Sequence, residues 1–220
     1  ASETVAGEKE RRTFESLATT IMPPLEIAKG KYWSVFYPLA RELTILSPVF
    51  AFIGLISGFS ITNLFIIYLL TLIDIAFFTA VGLYHSTKSY NMTGARSGVI
   101  GTLAFLIIGI HFVSGIAGAM IMGIIVGITS TLDTSLWREP VMSILMALPN
   151  AILSSLNPLS TVWSVFFFEL LMKDSNSGTT PIYFTYIKYV QPMAAILFYY
   201  LIGLKLFGMS VKNIGFINPK

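Results

Sequence analysis

Long uncharged apolar runs, separated by short polar segments, make up most of the 220-residue chain. Between Glu42 and Lys88 the only charged side chain is Asp74, and none occurs between Arg96 and Asp133. Uncharged apolar runs of about 18 residues or more are typical of membrane-spanning helices. The pattern therefore predicts an all-α membrane protein, a polytopic helical bundle.

Four apolar runs are long enough to be full spans, at residues 32–57, 61–84, 97–128 and 183–207. The third run exceeds what one perpendicular span needs, so we expect it to be either tilted or broken near residues 114–120. The segments that flank the runs predict a tight turn at 58–63, a polar loop at 85–96 and a C-terminal tail after residue 207.

A fifth apolar stretch, residues 141–172, is interrupted by helix-breaking residues. Its breakers are Pro149, Asn150, Asn157 and Pro158. Proline removes a backbone N–H and clashes with the preceding helical turn, so this stretch favours a re-entrant or interfacial pair of segments over one full span.

Two charged side chains lie inside the first apolar helix, which is predicted to begin at Pro24. If residues 32–57 span the membrane, Arg41 and Glu42 must pair or face protein or water, because isolated charges in lipid are costly. Alternatively, residues 25–42 lie along the interface and the span begins near Leu43. The remaining length is short for a span, so we favour an earlier start with both charges kept shallow.

Lysine and arginine are concentrated in three regions, residues 9–31, 88–96 and 205–220. The positive-inside rule places all three in the cytoplasm of a protein embedded in the cell membrane. Residues 1–31 and the C-terminus are then cytoplasmic, which requires that 141–172 does not cross the membrane completely.

The charge balance and residue types argue against several functions. The net charge is only +3, and no basic stripe interleaved with aromatic residues indicates nucleic-acid binding. There is no cysteine, and the two histidines are isolated, so no metal site or bound cofactor is expected. We find no nucleotide-binding loop or catalytic motif, and therefore expect a protein that is not itself an enzyme.

Asp74 is a possible intramembrane polar site, since a carboxylate within a span is often functional. The structural alternative is that it pairs with a polar group on a neighbouring helix. His111 and Glu169 are the other ionisable residues at membrane depth, and His111 fits a structural role better than a chemical one.

Residues 7–31, GEKERRTFESLATTIMPPLEIAKGK, form the most densely charged stretch of the chain. A helix is predicted over residues 1–22, ended by Pro23-Pro24. It carries a narrow apolar stripe, which consists of Phe14, Leu17, Ala18 and Ile21. Its charged face is of mixed sign, which suits docking in a protein groove better than lying on a membrane surface.

This stretch resembles the cytoplasmic signature of permease subunits of the type-two ATP-binding-cassette (ABC) exporters. The matching positions are Glu8-Lys9-Glu10-Arg11, Thr13-Phe14-Glu15, Leu17, Thr20, Pro24, Glu26-Ile27 and Gly30-Lys31. The sequence departs at Arg12, where the family has glycine, at Phe14 for leucine, and at Ile21 for proline. The remainder, including LNPLSTVW at 156–163, resembles the family only generically.

The resemblance implies that residues 8–22 form a coupling helix docked on a separate ABC ATPase subunit. The expected interface residues are Glu8, Arg11, Arg12, Phe14, Glu15, Leu17 and Ile21. The apolar members would anchor the helix and the charged ones would give specificity at the rim. It also implies membrane lipid as surroundings, a second permease copy of the same or another kind, and an exported substrate whose identity the sequence does not give.

The same comparison divides the chain into a coupling region, residues 1–31, and a transmembrane domain, residues 32–220. Members of this family begin with two further spans, so we expect the chain to be a fragment that lacks them. A non-transporting membrane scaffold is the main alternative, and an intramembrane enzyme using Asp74 or Glu169 is a second.

Overall fold

The computed structural model describes residues 1–13, 22–131, 155–158, 165 and 182–217. Every regular element in these ranges is helical. The helices are α1 (Ala6–Glu10), α2 (Pro24–Ile56), α3 (Ile61–Lys88), α4 (Met92–Ala104), a π-helical turn (Phe105–Gly109), α5 (Ile110–Thr131) and α6 (Ile182–Ile217). The all-α prediction is therefore confirmed.

In the described part of the chain, four helices are long and apolar enough to cross a membrane. Their membrane-length segments are Pro24–Ile56, Ile61–Lys88, Met92–Ile121 and Val190–Gly215. These correspond to the four predicted spans. The predicted re-entrant stretch, 141–172, lies outside the described residues apart from 155–158 and 165.

Helix α2 begins at Pro24, as predicted, because a proline at the first helical position lacks only an N–H that the helix would leave unpaired. It is 33 residues long, and none of its most apolar window is buried within the chain. Arg41 and Glu42 are both exposed near its middle, and neither has an ion-pair partner among the described residues. The choice between an early start of the span, with both charges shallow, and a span that begins near Leu43 stays open.

The turn after α2 is the tight turn that the sequence predicted. Gly58 has a φ of 84°, a left-handed conformation that glycine adopts without steric cost. Ser60 then caps α3, because its hydroxyl accepts a hydrogen bond from the backbone N–H of Asn63 at 3.3 Å.

The polar loop predicted at 85–96 is wrong in extent. Helix α3 continues to Lys88 and α4 begins at Met92, so only residues 89–91 connect them. The polar residues Ser86 and Thr87 are buried within the helix end, which is why composition alone suggested a loop.

Two further boundaries differ from the sequence-based prediction. The irregularity in the third span is the π-helical turn Phe105–Gly109, and the helix is continuous across residues 114–120. Helix α6 extends through Ile217, so residues 208–217 are helical rather than part of a tail. The buried side chain of Ile214 explains why this end remains ordered as a helix.

The predicted helix over residues 1–22 is also shorter than expected. Helix α1 covers only five residues and ends at Glu10, and Arg12 has a φ of 57°. A left-handed residue cannot continue a right-handed α-helix, so this first helix stops here. Residues 14–21, which carry the predicted apolar stripe, lie outside the described residues.

The chain divides into two compact units. The first comprises Ala1–Leu103 and Phe198–Lys220, and the second comprises Ala104–Leu197. The first unit contains the N-terminal segment, α2, α3, α4 and the C-terminal part of α6, and it holds the candidate site.

Candidate docking segment and its anchoring end

The N-terminal segment, residues 1–13, is held against one end of the first unit by a small apolar core. We call this the anchoring end, and it contains the start of α2, the end of α3, the start of α4 and the end of α6. Its buried apolar side chains are Val5, Ile27, Ala28, Leu83 and Ile214. One residue thus comes from the segment itself, and the others come from three different helices, so the segment contacts all three.

Ser86 of α3 supplies the cap that α1 lacks. The hydroxyl oxygen of Ser86 accepts hydrogen bonds from the backbone N–H groups of Val5 and Ala6, each at 2.9 Å. The first N–H groups of a helix have no partner inside the helix, and Val5 at the N-cap has no side-chain oxygen to offer. Ser86 is fully buried, so these contacts are shielded from water.

Lys9 and Glu10 form hydrogen bonds with backbone groups at two helix ends, the end of α3 and the start of α4. The ammonium of Lys9 donates to the carbonyl oxygens of Thr87 at 2.5 Å and Ser89 at 3.2 Å, at the end of α3. The Glu10 carboxylate accepts from the backbone N–H of Met92 at 3.0 Å, at the start of α4. A cation at a helix C-terminus and an anion at an N-terminus both match the helix dipole.

Burial also affects the protonation of Lys9. Partial removal from water lowers the pKa of its ammonium below the ordinary value. The two carbonyl contacts engage two of its three donors, and the shift reflects how closely this lysine is packed against the end of α3.

Two ion pairs add to the anchoring. Glu8 pairs with Lys31 near the start of α2, and both side chains are partly buried. Glu3 pairs with Arg96 of α4 at 2.6 Å in a more exposed position. Because exposed pairs contribute little to stability, the Glu8–Lys31 pair is the more important of the two.

The structure gives the predicted docking residues different surroundings. Glu8 is turned towards Lys31, whereas Arg11 and Arg12 are exposed. The remaining predicted contacts lie outside the described residues, and they are Phe14, Glu15, Leu17 and Ile21. The structure therefore brings together the anchoring residues of the segment and leaves two of its basic side chains accessible.

The residues that the sequence reasoning missed are those of the anchor. Ser86, Lys9 and Glu10 follow no periodic pattern, and each acts on a residue about 80 positions away. A lysine followed directly by a glutamate matches a helix C-terminus next to a helix N-terminus. This match can be recognised only once the topology is known.

The three basic regions come together at the anchoring end. Lys9 contacts the end of α3, Arg96 pairs with Glu3, and the Asn213 amide on α6 donates to the Thr87 hydroxyl at 3.3 Å. This places the N-terminal segment, the α3–α4 connection and the end of α6 at one end of the first unit. That this end faces the cytoplasm stays a prediction.

Asp74, the possible intramembrane polar site, lies on α3 in a partly buried position. It has no hydrogen-bond or ion-pair partner among the described residues. His111 is exposed on α5, and Glu169 lies outside the described residues. In the described ranges no three metal-binding side chains are grouped together.

Comparison of the chain with models of known protein families, with curated proteins and with solved structures found no match.

Proposed function

We propose that this chain is the membrane-spanning permease subunit of an ABC exporter, and that a separate ATPase subunit docks on residues 8–22. In this proposal the permease performs no chemistry. It moves substrate by changing the arrangement of its helices when the ATPase hydrolyses ATP, together with a second permease copy.

The observation that carries the proposal is the attachment of the N-terminal segment to several helices at once. Ser86 and the Lys9 contacts connect it to α3, Lys31 connects it to α2, and the Glu10 contact connects it to α4. A segment that only rested on a membrane surface would need none of these buried polar contacts. A coupling element needs them, because force applied to it must reach the spans.

The conformation of Arg12 is a second support. Its φ of 57° lies in the left-handed region, which favours glycine. The exporter signature that the segment resembles has glycine at this position. A backbone bend at residue 12 is therefore compatible with the family pattern even though the side chain differs.

The bend also separates two parts of the segment. Residues before it are anchored to the helix ends, while Arg11 and Arg12 are exposed and the predicted apolar stripe follows. Closure of an ATPase pair bound to the later part would pull on the anchored part and tilt α2, α3 and α4. A rigid-body movement of this kind is a common basis of switching between two states.

The test is a pulldown of the full-length protein from membranes, with a readout of co-purifying ATPase subunit and its ATP turnover. Leu17→Asp places a charge in the predicted apolar stripe, and Arg11→Glu reverses an exposed rim charge. Lys212→Glu is the matched control, because Lys212 is exposed on α6 but outside the segment.

We expect the ATPase to co-purify with the wild type and with Lys212→Glu, and to be lost with Leu17→Asp. Arg11→Glu should weaken the association at physiological salt. If no ATPase co-purifies with the wild type while all variants reach the membrane normally, the permease proposal fails, and a non-transporting scaffold becomes the better explanation.

A further inference from the structure

A cavity of about 300 Å³ lies between α2, α3 and α6 within the first unit. This volume is at the lower end of the range for small-molecule sites. Its wall is mainly aromatic, with six rings contributed by Tyr32, Trp33, Phe77, Tyr199, Tyr200 and Phe207. Lys29 is the one charged side chain among the described residues that line it.

The charge and the aromatic wall are arranged along the helix axes. Lys29 follows Ala28 of the apolar core, so it lies next to the anchoring end. Tyr199 is eight residues before Phe207 on α6, which corresponds to about 12 Å along a helix. The cavity therefore has a cation at one end and aromatic surface extending from it towards the middle of the spans.

Tyr199 forms part of the aromatic wall from α6. The residue is 1% exposed, and its ring packs on Phe77 with the ring centroids 4.9 Å apart. This packing fixes the position of the wall against which an apolar chain would lie.

We propose that this cavity binds an anionic phospholipid of the surrounding bilayer. The phosphate lies on the ammonium of Lys29, and one acyl chain packs against the aromatic wall. A phospholipid carries its phosphate at one end and its acyl chains at the other, which is the order in which the cavity presents Lys29 and the aromatic side chains. This proposal is independent of ATPase docking.

Gly203 allows the cavity to be filled without disturbing the helices. A Cβ at Gly203 would lie 3.9 Å from the nearest ring carbon of Phe77, an ordinary van der Waals contact. Gly203→Leu should therefore occupy the cavity from α6 while the backbone remains as it is. Lys205→Gln is the matched control for charge, because Lys205 is exposed on α6 and does not line the cavity.

The experiment is native mass spectrometry of the full chain in detergent, titrated with phosphatidylglycerol or with phosphatidylcholine of the same acyl chains. The quantity measured is the fraction of protein that keeps one lipid after detergent is removed in the gas phase. Glycerol 3-phosphate, which lacks the chains, is the probe for recognition of phosphate alone.

We expect phosphatidylglycerol to bind about tenfold more tightly than phosphatidylcholine, the scale of one charge-assisted contact. Lys29→Gln should remove this preference, and Lys205→Gln should keep it. Gly203→Leu should abolish retention of both lipids. Glycerol 3-phosphate should not bind.

Three results would overturn the proposal. Equal retention of the two lipids by the wild type would remove the role of Lys29, and equal loss in Lys29→Gln and Lys205→Gln would indicate only general attraction to basic residues. Undiminished retention in Gly203→Leu would place the lipid elsewhere. Size-exclusion and thermal-melting profiles identify any variant that fails to fold. If Gly203→Leu fails to fold, Lys29→Gln still decides the test, because Lys29 is exposed and its replacement should not disturb folding.

Discussion

The side-chain amide of Asn157 donates a hydrogen bond to the backbone carbonyl of Ile107 at 2.8 Å, inside the π-helical turn of the second unit. A π-turn shifts the hydrogen-bond register of a helix, so a carbonyl there benefits from a donor outside the helix. Asn157 is fully buried, and it belongs to the LNPLSTVW stretch. A residue in a proline-interrupted segment thus stabilises an irregular turn that lies 50 positions earlier.

Replacing Asn157 by leucine keeps the approximate size of the side chain but removes the donor. We expect the free energy of unfolding to fall by about 1–3 kcal/mol, the usual cost of a buried group left without its partner. The measurement is thermal or denaturant unfolding in detergent. Ser114→Ala is the control, because among the described residues the Ser114 hydroxyl donates to a carbonyl of its own helix. An Asn157→Leu protein that unfolds like the wild type would show that the contact contributes nothing.

Two glycines of α4, three positions apart, should respond oppositely to alanine. A Cβ at Gly98 would press on the imidazole ring of His85, which is held by a 2.8 Å hydrogen bond to Thr102. Gly101 has no neighbouring atom within 4 Å of its Cβ position. We expect Gly98→Ala to lower the free energy of unfolding by about 1–3 kcal/mol through overpacking.

Gly101→Ala should instead raise the free energy of unfolding by up to about 1 kcal/mol, because alanine favours helix over glycine. Both changes are measured in the same unfolding experiment, so the pair controls for the general effect of alanine. Similar effects at the two positions would mean that His85 does not pack against Gly98 in the folded protein.

The positions of the spans could be predicted from the sequence because charge is excluded from long stretches of it. The ends of the helices could not, since polar composition does not distinguish a loop from a helix end buried in polar contacts. Ser86 and Thr87 look like loop residues until the N-terminal segment packs on them. Ile214 likewise becomes a core residue only when it meets Val5.

The charge cluster at residues 7–31 drew attention to the N-terminal segment, and its role in docking a partner stays a prediction. The anchor formed by Lys9, Glu10 and Ser86 depends on contacts between residues far apart in the chain, which no local pattern encodes. The break of the first helix at Arg12 was missed because arginine is an ordinary helix former.

Arg12→Gly should stabilise the N-terminal segment. The left-handed conformation costs an L-residue about 1–2 kcal/mol, and glycine relieves it while losing more chain entropy. We expect a net gain of up to about 1 kcal/mol in the free energy of local opening, measured by amide hydrogen exchange over residues 5–13. Arg11→Gly is the control, because Arg11 has an ordinary right-handed backbone with a φ of −82°. A gain at residue 11 equal to that at residue 12 would contradict the strain argument.

Exchanging the charges of Glu8 and Lys31 separates positioning from direct docking. Glu8→Lys alone, or Lys31→Glu alone, places like charges side by side, and each should weaken protection of residues 5–13 by up to about 1 kcal/mol. The double variant restores an ion pair of opposite polarity and should recover that protection. The same three variants are then compared in the ATPase pulldown.

Glu8 was predicted to contact the ATPase, but its carboxylate points to Lys31, so we expect the double variant to recover ATPase association as well. Recovery would make Glu8 a positioning residue and leave Arg11 and Arg12 as the charged contacts of the described segment. Recovered protection with persistent loss of the ATPase would instead show that the negative charge at residue 8 is recognised by the partner itself. Failure to recover either property would mean that the ion pair does not hold the segment, and the anchoring would then rest on Ser86 and Lys9.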